Sequence, residues 1–393
     1  MTSSAHSHAP VPAASRHTRR IVTAVLVPAA IATLVALIVL WPAPVRTQPA
    51  AGDDQRALGT VTAVTTRVCP TAGQSCGAAA VRITDGPGRG SEQAVDLPQG
   101  PGAAVLRVGD KVVLDYLPGA VPGGHPYTVV DHQRSTPLIW LIALAVGVIL
   151  VFGRWRGLTS LAGLAVSFAV LLFFVIPAIL AGSPPLLVAV VGSSAIMFAA
   201  LYLTHGINVH TSVAVAGTLA SLMLTGLLGA GFTGLLHLTG VGSDDTSSLL
   251  AFQGAIDLRG LLLAGIVIGA LGVLDDVTVT QAATVAEMTA AGAVSRRELY
   301  RSAARVGRAH VASAVNTIVL AYAGASLPLL LLIAASSEPV SELLTSEFLA
   351  QEILRSAVGT IGLVASVPIT TALAALVADL RPGAAAAVGH HRR

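Results

Sequence analysis

Apolar runs of about 20 residues recur along this chain, and a run of that length in lipid has few alternatives to a membrane-crossing helix. At a rise of about 1.5 Å per residue it spans a hydrocarbon core of roughly 30 Å. Inside that core every backbone N–H and C=O must be satisfied within the segment, which a helix achieves. Composition agrees: 54% of residues are hydrophobic and 11% charged, where a soluble domain carries about 25% charged. The runs are built from Leu, Val, Ala, Ile and Gly, small or flexible enough to let helices approach closely. The net charge of +3 does not argue for nucleic-acid binding, because the arginines sit at the ends of the apolar runs.

The first run, residues 21–41, follows Arg16, Arg19 and Arg20. It reads as an uncleaved anchor, since the apolar core of a cleaved signal peptide is only about 7–15 residues. Further runs fall at 137–152, 158–181, 186–203, 209–232, 260–279, 310–335 and 357–380, which predicts about eight transmembrane helices. With the N-terminus in the cytoplasm, eight crossings put Arg154, Arg156, the group Arg296, Arg297, Arg301, Arg305 and Arg308, and Arg381, Arg392 and Arg393 all inside. Asp244, Asp245, Glu338, Glu342 and Glu347 fall outside, as the positive-inside rule requires. The expected layout is a disordered cytoplasmic tail (1–20), an anchor (21–41), an extracytoplasmic β-rich domain (42–136), a helical membrane domain of about seven spans (137–380) and a cytoplasmic tail (381–393).

The segment 42–136 breaks the apolar pattern. Residues 59–64, 80–83 and 111–116 alternate as half-buried strands do, and Gly-rich turns at 85–88, 98–102 and 108–110 separate them. Short strands at this density predict a small β domain, with an OB-like barrel as the expected shape. Cys69 and Cys76 both lie here, on the side where a disulfide persists. The alternatives are a disulfide or two free thiols, and two thiols without further ligands do not make a metal site.

Charged groups inside a span are costly and therefore informative. Asp275 and Asp276 lie roughly 22–24 Å along the run that starts near Gly260, in the inner third of the bilayer. Asp276, Thr280, Ala283 and Glu287 share one helical face, and Gln281 follows Thr280. Two neighbouring carboxylates held away from water share a proton readily, which is what a proton relay or cation site needs. The competing reading ends the helix at Leu274 and makes the pair a solvated cap. Asn316 and Thr317, with Tyr322 deeper on the same helix, either glue helices together or line a cavity with the acids. His205 and His210 are weak metal candidates, because a spacing of five is not the one-face i, i+4 spacing of a helical zinc site. Pro177, Pro328 and Pro368 interrupt apolar runs as kinks or as helices bent around a cavity. Residues 287–308 read either as an amphipathic helix lying on anionic lipid or as a solvated connector.

The loop 204–211, the Asp-pair segment 272–281, the stretches 315–325 and 326–328 around Asn316 and Pro328, and the segment 367–371 together resemble the YibE/F-like membrane proteins of bacteria. The resemblance covers most of residues 138–380. It implies a multi-pass plasma-membrane protein and brings no established substrate or reaction.

Three functions are consistent with the residues. The leading one is a transporter or permease of a small solute or cation. Asp275 and Asp276 carry the ion, and Thr280, Gln281, Asn316, Thr317 and Tyr322 line the pathway. The second is a non-transporting scaffold or sensor whose β domain binds an envelope protein. The third, an intramembrane acid–base enzyme, lacks an accompanying nucleophile, phosphate-binding loop or metal set. No cofactor is expected. The partners expected are the lipid bilayer, the transported solute or cation, and a second copy of the chain or an envelope protein; nucleic acid is not among them.

Overall fold

The computed structural model describes residues 15–42, 55–68, 75–99, 103–117, 125–242, 256–292, 295–335 and 339–380. The chain divides into two compact units, Met1–Val45 with Trp155–Arg393, and Arg46–Arg154. Cys69, Asp244, Asp245, Glu338, Arg381, Arg392 and Arg393 lie outside the described residues, and with them the cysteine pairing, residues 1–14 and residues 381–393. Arg16 to Arg20, expected as part of a disordered tail, are helical instead, as the first turns of the apolar helix that follows.

The smaller unit holds five antiparallel strands, β1 (Gln55–Val68), β2 (Ser75–Asp85), β3 (Glu92–Asp96), β4 (Lys111–Tyr116) and β5 (Tyr127–His132), in the order β3-β2-β1-β4-β5. Alternation drives the fold: Ala57, Val61, Val81, Ile83, Val112 and Leu114 point to one buried core. A register shift between Val61 and Ala63 bends the long β1. The sheet curls until β3 lies near β5, without a hydrogen-bonded closure between them among the described residues. The β class expected from the sequence is therefore present, as a small curled antiparallel sheet. Gly59 is required by close approach, since a Cβ there would sit 2.3 Å from Val81 Cγ1. Tyr127 donates its hydroxyl to Pro87 O at 2.9 Å and holds the β2–β3 turn.

The other unit is helical: α1 (Arg16–Val39), α2 (Ser135–Val170), a π-helical turn (Leu171–Val175), α3 (Ile176–Leu180), α4 (Pro185–His205), α5 (Val209–Leu235), α6 (Leu258–Ala290), α7 (Arg296–Ala325), α8 (Leu327–Ala335), α9 (Val340–Thr345) and α10 (Glu347–Val377). The first part of α2 belongs to the smaller unit, and the helix breaks at Arg154 (φ 51°, ψ −128°), where the units divide. Among the described residues six helices are long and apolar enough to cross a membrane, against the eight expected. Two causes account for the difference. The expected runs 137–152 and 158–181 form one stretch, Ser135–Leu180. The run 310–335 is divided at Ser326 into α7, whose first turns carry the arginine group, and the short α8. The helix break explains Pro328, which opens α8. Pro177 opens α3 after the π turn, and Pro368 lies inside α10.

Helices α5, α6 and α10 pack against one another at the centre, with α4 against α6 and α7 against α6 and α10. Glycines let them close in. A Cβ at Gly217 would lie 2.2 Å from Thr370 Oγ1, and one at Gly362 would lie 2.1 Å from Thr225 Oγ1. The buried hydroxyls of Ser221, Thr225 and Thr371 donate to carbonyls of their own helices at 2.6–2.8 Å, which satisfies them without water. Thr18 Oγ1 lies 3.3 Å from Val377 O and 3.1 Å from Asp379 Oδ1, so the start of α1 and the end of α10 share one end of this unit.

Candidate functional site

The loop between α4 and α5 is built rigidly from its own residues. Gly206 takes φ 75°, a conformation that favours glycine, and turns the chain out of α4. Asn208 caps α5: its Oδ1 accepts from Thr211 N at 2.7 Å, and its Nδ2 donates to His205 O at 2.9 Å. His205 and His210 are thereby held at the ends of a short, internally bonded turn.

This turn faces α2 and α6 across two adjoining clefts. The larger, of about 470 Å³, is lined by Arg156, Thr159, Ser160, Thr204, His205 and His210, with Val279 and Ala283 of α6 on its wall. The smaller, of about 320 Å³, is lined by Ser160, Ser167, Thr204, His205, Asp275 and Asp276, with Gly163 and Gly272 widening it. Ser160, Thr204, His205 and Val279 belong to both. Charge is therefore divided: Arg156 and His210 line only the larger cleft, Asp275 and Asp276 only the smaller, and His205 stands in both.

Helix α6 does not end at Leu274. It runs on to Ala290, so Asp275 and Asp276 are mid-helix residues and not caps. Asp275 is half-buried, and Asp276, Thr280, Ala283 and Glu287 form an exposed stripe, as the helical period predicts. On the opposite face Leu274, Val277, Thr278 and Gln281 are buried. Thr278 Oγ1 pairs with Thr218 Oγ1 at 2.7 Å and fixes α6 against α5.

The residues singled out by sequence separate into two groups. Asp275, Asp276 and His205 come together at the smaller cleft, and His210 joins through the larger. Gln281 points away from the acids. Its amide donates to Ala303 O at 2.9 Å and to Thr371 Oγ1 at 2.7 Å, tying α6 to α7 and α10. Asn316 and Thr317 are exposed on α7, and neither cleft includes them. Tyr322 faces Gly269 of α6 and lies within electrostatic reach of Arg355 and Glu352, which pair at 2.9 Å on α10. Sequence reading missed Arg156, Ser160, Ser167 and Thr204 as lining residues. Hydroxyls within apolar runs were the available signal. The Arg355–Glu352 pair lies just before the apolar run 357–380, in the part of α10 that hydropathy does not mark. Among the described residues no three His, Cys, Asp or Glu side chains gather closely enough to hold a metal ion.

Long apolar helices packed through glycines and self-satisfied hydroxyls define a multi-pass α-helical membrane protein, here with a polar cleft carrying two carboxylates. The chain belongs to the YibE/F-like protein family, which matches residues 141–380. That stretch contains every residue that lines the clefts. No curated protein and no solved structure matches the chain.

Proposed function

We propose that this protein is a transporter or permease of a small solute or cation, with Asp275 and Asp276 as the groups that take up the ion. One observation carries the reading: both acids line a polar cleft with Ser160, Ser167, Thr204 and His205, inside a unit built mostly of long apolar helices. Carboxylates are expensive in such surroundings and are kept there for ion or proton traffic. The protein crosses a bacterial plasma membrane eight times in this reading, with both termini cytoplasmic and an OB-like β unit outside. The shared end of α1 and α10 supports the even number of crossings.

The test is flux into proteoliposomes holding the full chain, followed with a trapped pH dye and with a panel of monovalent and divalent cations. Asp275→Asn and Asp276→Asn each abolish the flux of the ion that the wild type carries. Flux unchanged in both variants removes the proposal. A second reading, a scaffold or sensor acting through its β unit, is favoured by that unit having a core of its own. Crosslinking from residues 57–130 to one envelope protein, without ion flux, would select it.

A further inference from the structure

We propose that His205 is the relay through which protons reach the Asp275–Asp276 pair, with its ring held in one tautomer by Thr204. The inference rests on the acid pair being the ion-binding group, and it adds the route.

The tautomer follows from the hydrogen bonds. Thr204 Oγ1 lies 2.8 Å from Ala200 O, the carbonyl one turn back, and 2.7 Å from His205 Nδ1. A hydroxyl has one proton. The carbonyl can only accept, so that proton goes to Ala200 O, and the contact to His205 is made by an Nδ1–H donating to the hydroxyl oxygen. The neutral ring therefore carries its proton on Nδ1 and presents a bare Nε2, the atom able to take up a second one. Asn208 holds the backbone of the same residue through His205 O. The ring is thus oriented by Thr204 and the main chain by Asn208.

Position supplies the rest. His205 and Thr204 are polar residues common to both clefts, so the ring stands where the cleft lined by Arg156, Thr159 and His210 meets the one lined by Asp275 and Asp276. The charged and titratable groups around it are Arg156 from α2, His210 from α5 and the two acids from α6, with Glu287 within electrostatic reach of His210. Nε2 takes a proton from hydronium in the first cleft, leaving water. The imidazolium then gives that proton, directly or through water in the second cleft, to a carboxylate oxygen of the pair. The ring returns to its Nδ1–H form, and the acid is neutral. The net change is one carboxylate and one hydronium becoming one carboxylic acid and one water.

A relay changes rates and leaves equilibria alone, which separates it from a structural role. The full chain in nanodiscs is given a pH jump, and protonation of the pair is followed by the infrared stretch of the protonated carboxyl, assigned as the signal that Asp275→Asn or Asp276→Asn removes. His205→Gln slows the appearance of that signal by about tenfold or more, with the same final amplitude. In His205→Ala, added imidazole restores the rate. In the wild type, nitrogen-15 spectra of the neutral ring place the proton on Nδ1, and Thr204→Val abolishes that preference. An unchanged rate in His205→Gln, or a wild-type ring protonated on Nε2, overturns the relay and leaves the acid pair standing. The absence of any carboxyl signal that the Asp variants remove overturns the acid-pair reading itself, and the relay with it.

Discussion

Replacing Gln281 tests whether it is a clamp between helices or a wall of the pathway. Its amide is buried and uses both N–H donors, one on Ala303 O at 2.9 Å and one on Thr371 Oγ1 at 2.7 Å. Thr371 passes its own proton to Val367 O at 2.6 Å, so its oxygen can only accept from Gln281. Gln281→Met keeps the volume and removes two hydrogen bonds. At about 0.6 kcal/mol each in a membrane bundle, and up to about 1.5 elsewhere, the loss is about 1–3 kcal/mol. Gln281→Glu is worse for a different reason. An oxygen then faces Ala303 O and a Thr371 hydroxyl whose proton is already committed, and a charge is buried without a partner. An uncompensated buried charge costs about 3–5 kcal/mol. The order of stability is therefore wild type, then Met, then Glu, measured by equilibrium unfolding of detergent-solubilised protein in a denaturing-detergent titration. A cycle with Thr371→Val gives a coupling of about 0.5–1.5 kcal/mol. If Gln281→Glu unfolds no earlier than Gln281→Met, or the cycle shows no coupling, the clamp is refuted.

Gly217→Leu and Gly362→Leu force α5 away from α10 and lower the thermal midpoint in detergent, each by the equivalent of about 1–3 kcal/mol. The corresponding change at Gly265, which has open space around it, leaves the midpoint unchanged. Glu347 accepts from Thr239 N at 2.7 Å, Thr239 Oγ1 at 2.6 Å and Gly240 N at 3.0 Å, so Glu347→Ala costs about 1–3 kcal/mol in the same titration. At Asp379 burial raises the carboxyl pKa, but hydrogen bonds from Ser15 N–H and the Ser15 and Thr18 side chains outweigh it and leave the group below its ordinary value. A depressed folded pKa means that this contact stabilises the fold above the ordinary carboxylate range and is lost as pH falls through the lowered value. Limited proteolysis near Arg16 should accelerate on such acidification in the wild type and be fast at all pH values in Asp379→Asn.

Helix positions were legible in the sequence because lipid imposes a length and an apolar content that no other setting demands. The strand Lys111–Tyr116 was legible because alternation shows directly which side chains are buried. The strands Glu92–Asp96 and Tyr127–His132 were not read, the first being five residues long and carrying two acids. The exposed stripe of Asp276, Thr280, Ala283 and Glu287 followed from helical period alone. Period cannot say what stands opposite a stripe. Gln281 is one residue from Thr280, yet a 100° turn of the helix sends it into the α7–α10 seam, away from the acids. Likewise, 70 residues separate His205 from Asp275, and nothing local marks them as neighbours.

Residence in a membrane, the approximate course of the helices and the acids out of place in lipid can each be read from a single segment, because each is a local property. The meeting of the α4–α5 turn with the acid pair across a shared cleft, the separation of Asn316 from it and the packing role of Gln281 emerge only once the chain is folded. Those facts depend on which helix faces are brought together. That choice is made by glycines and hydroxyls whose partners lie far away along the chain.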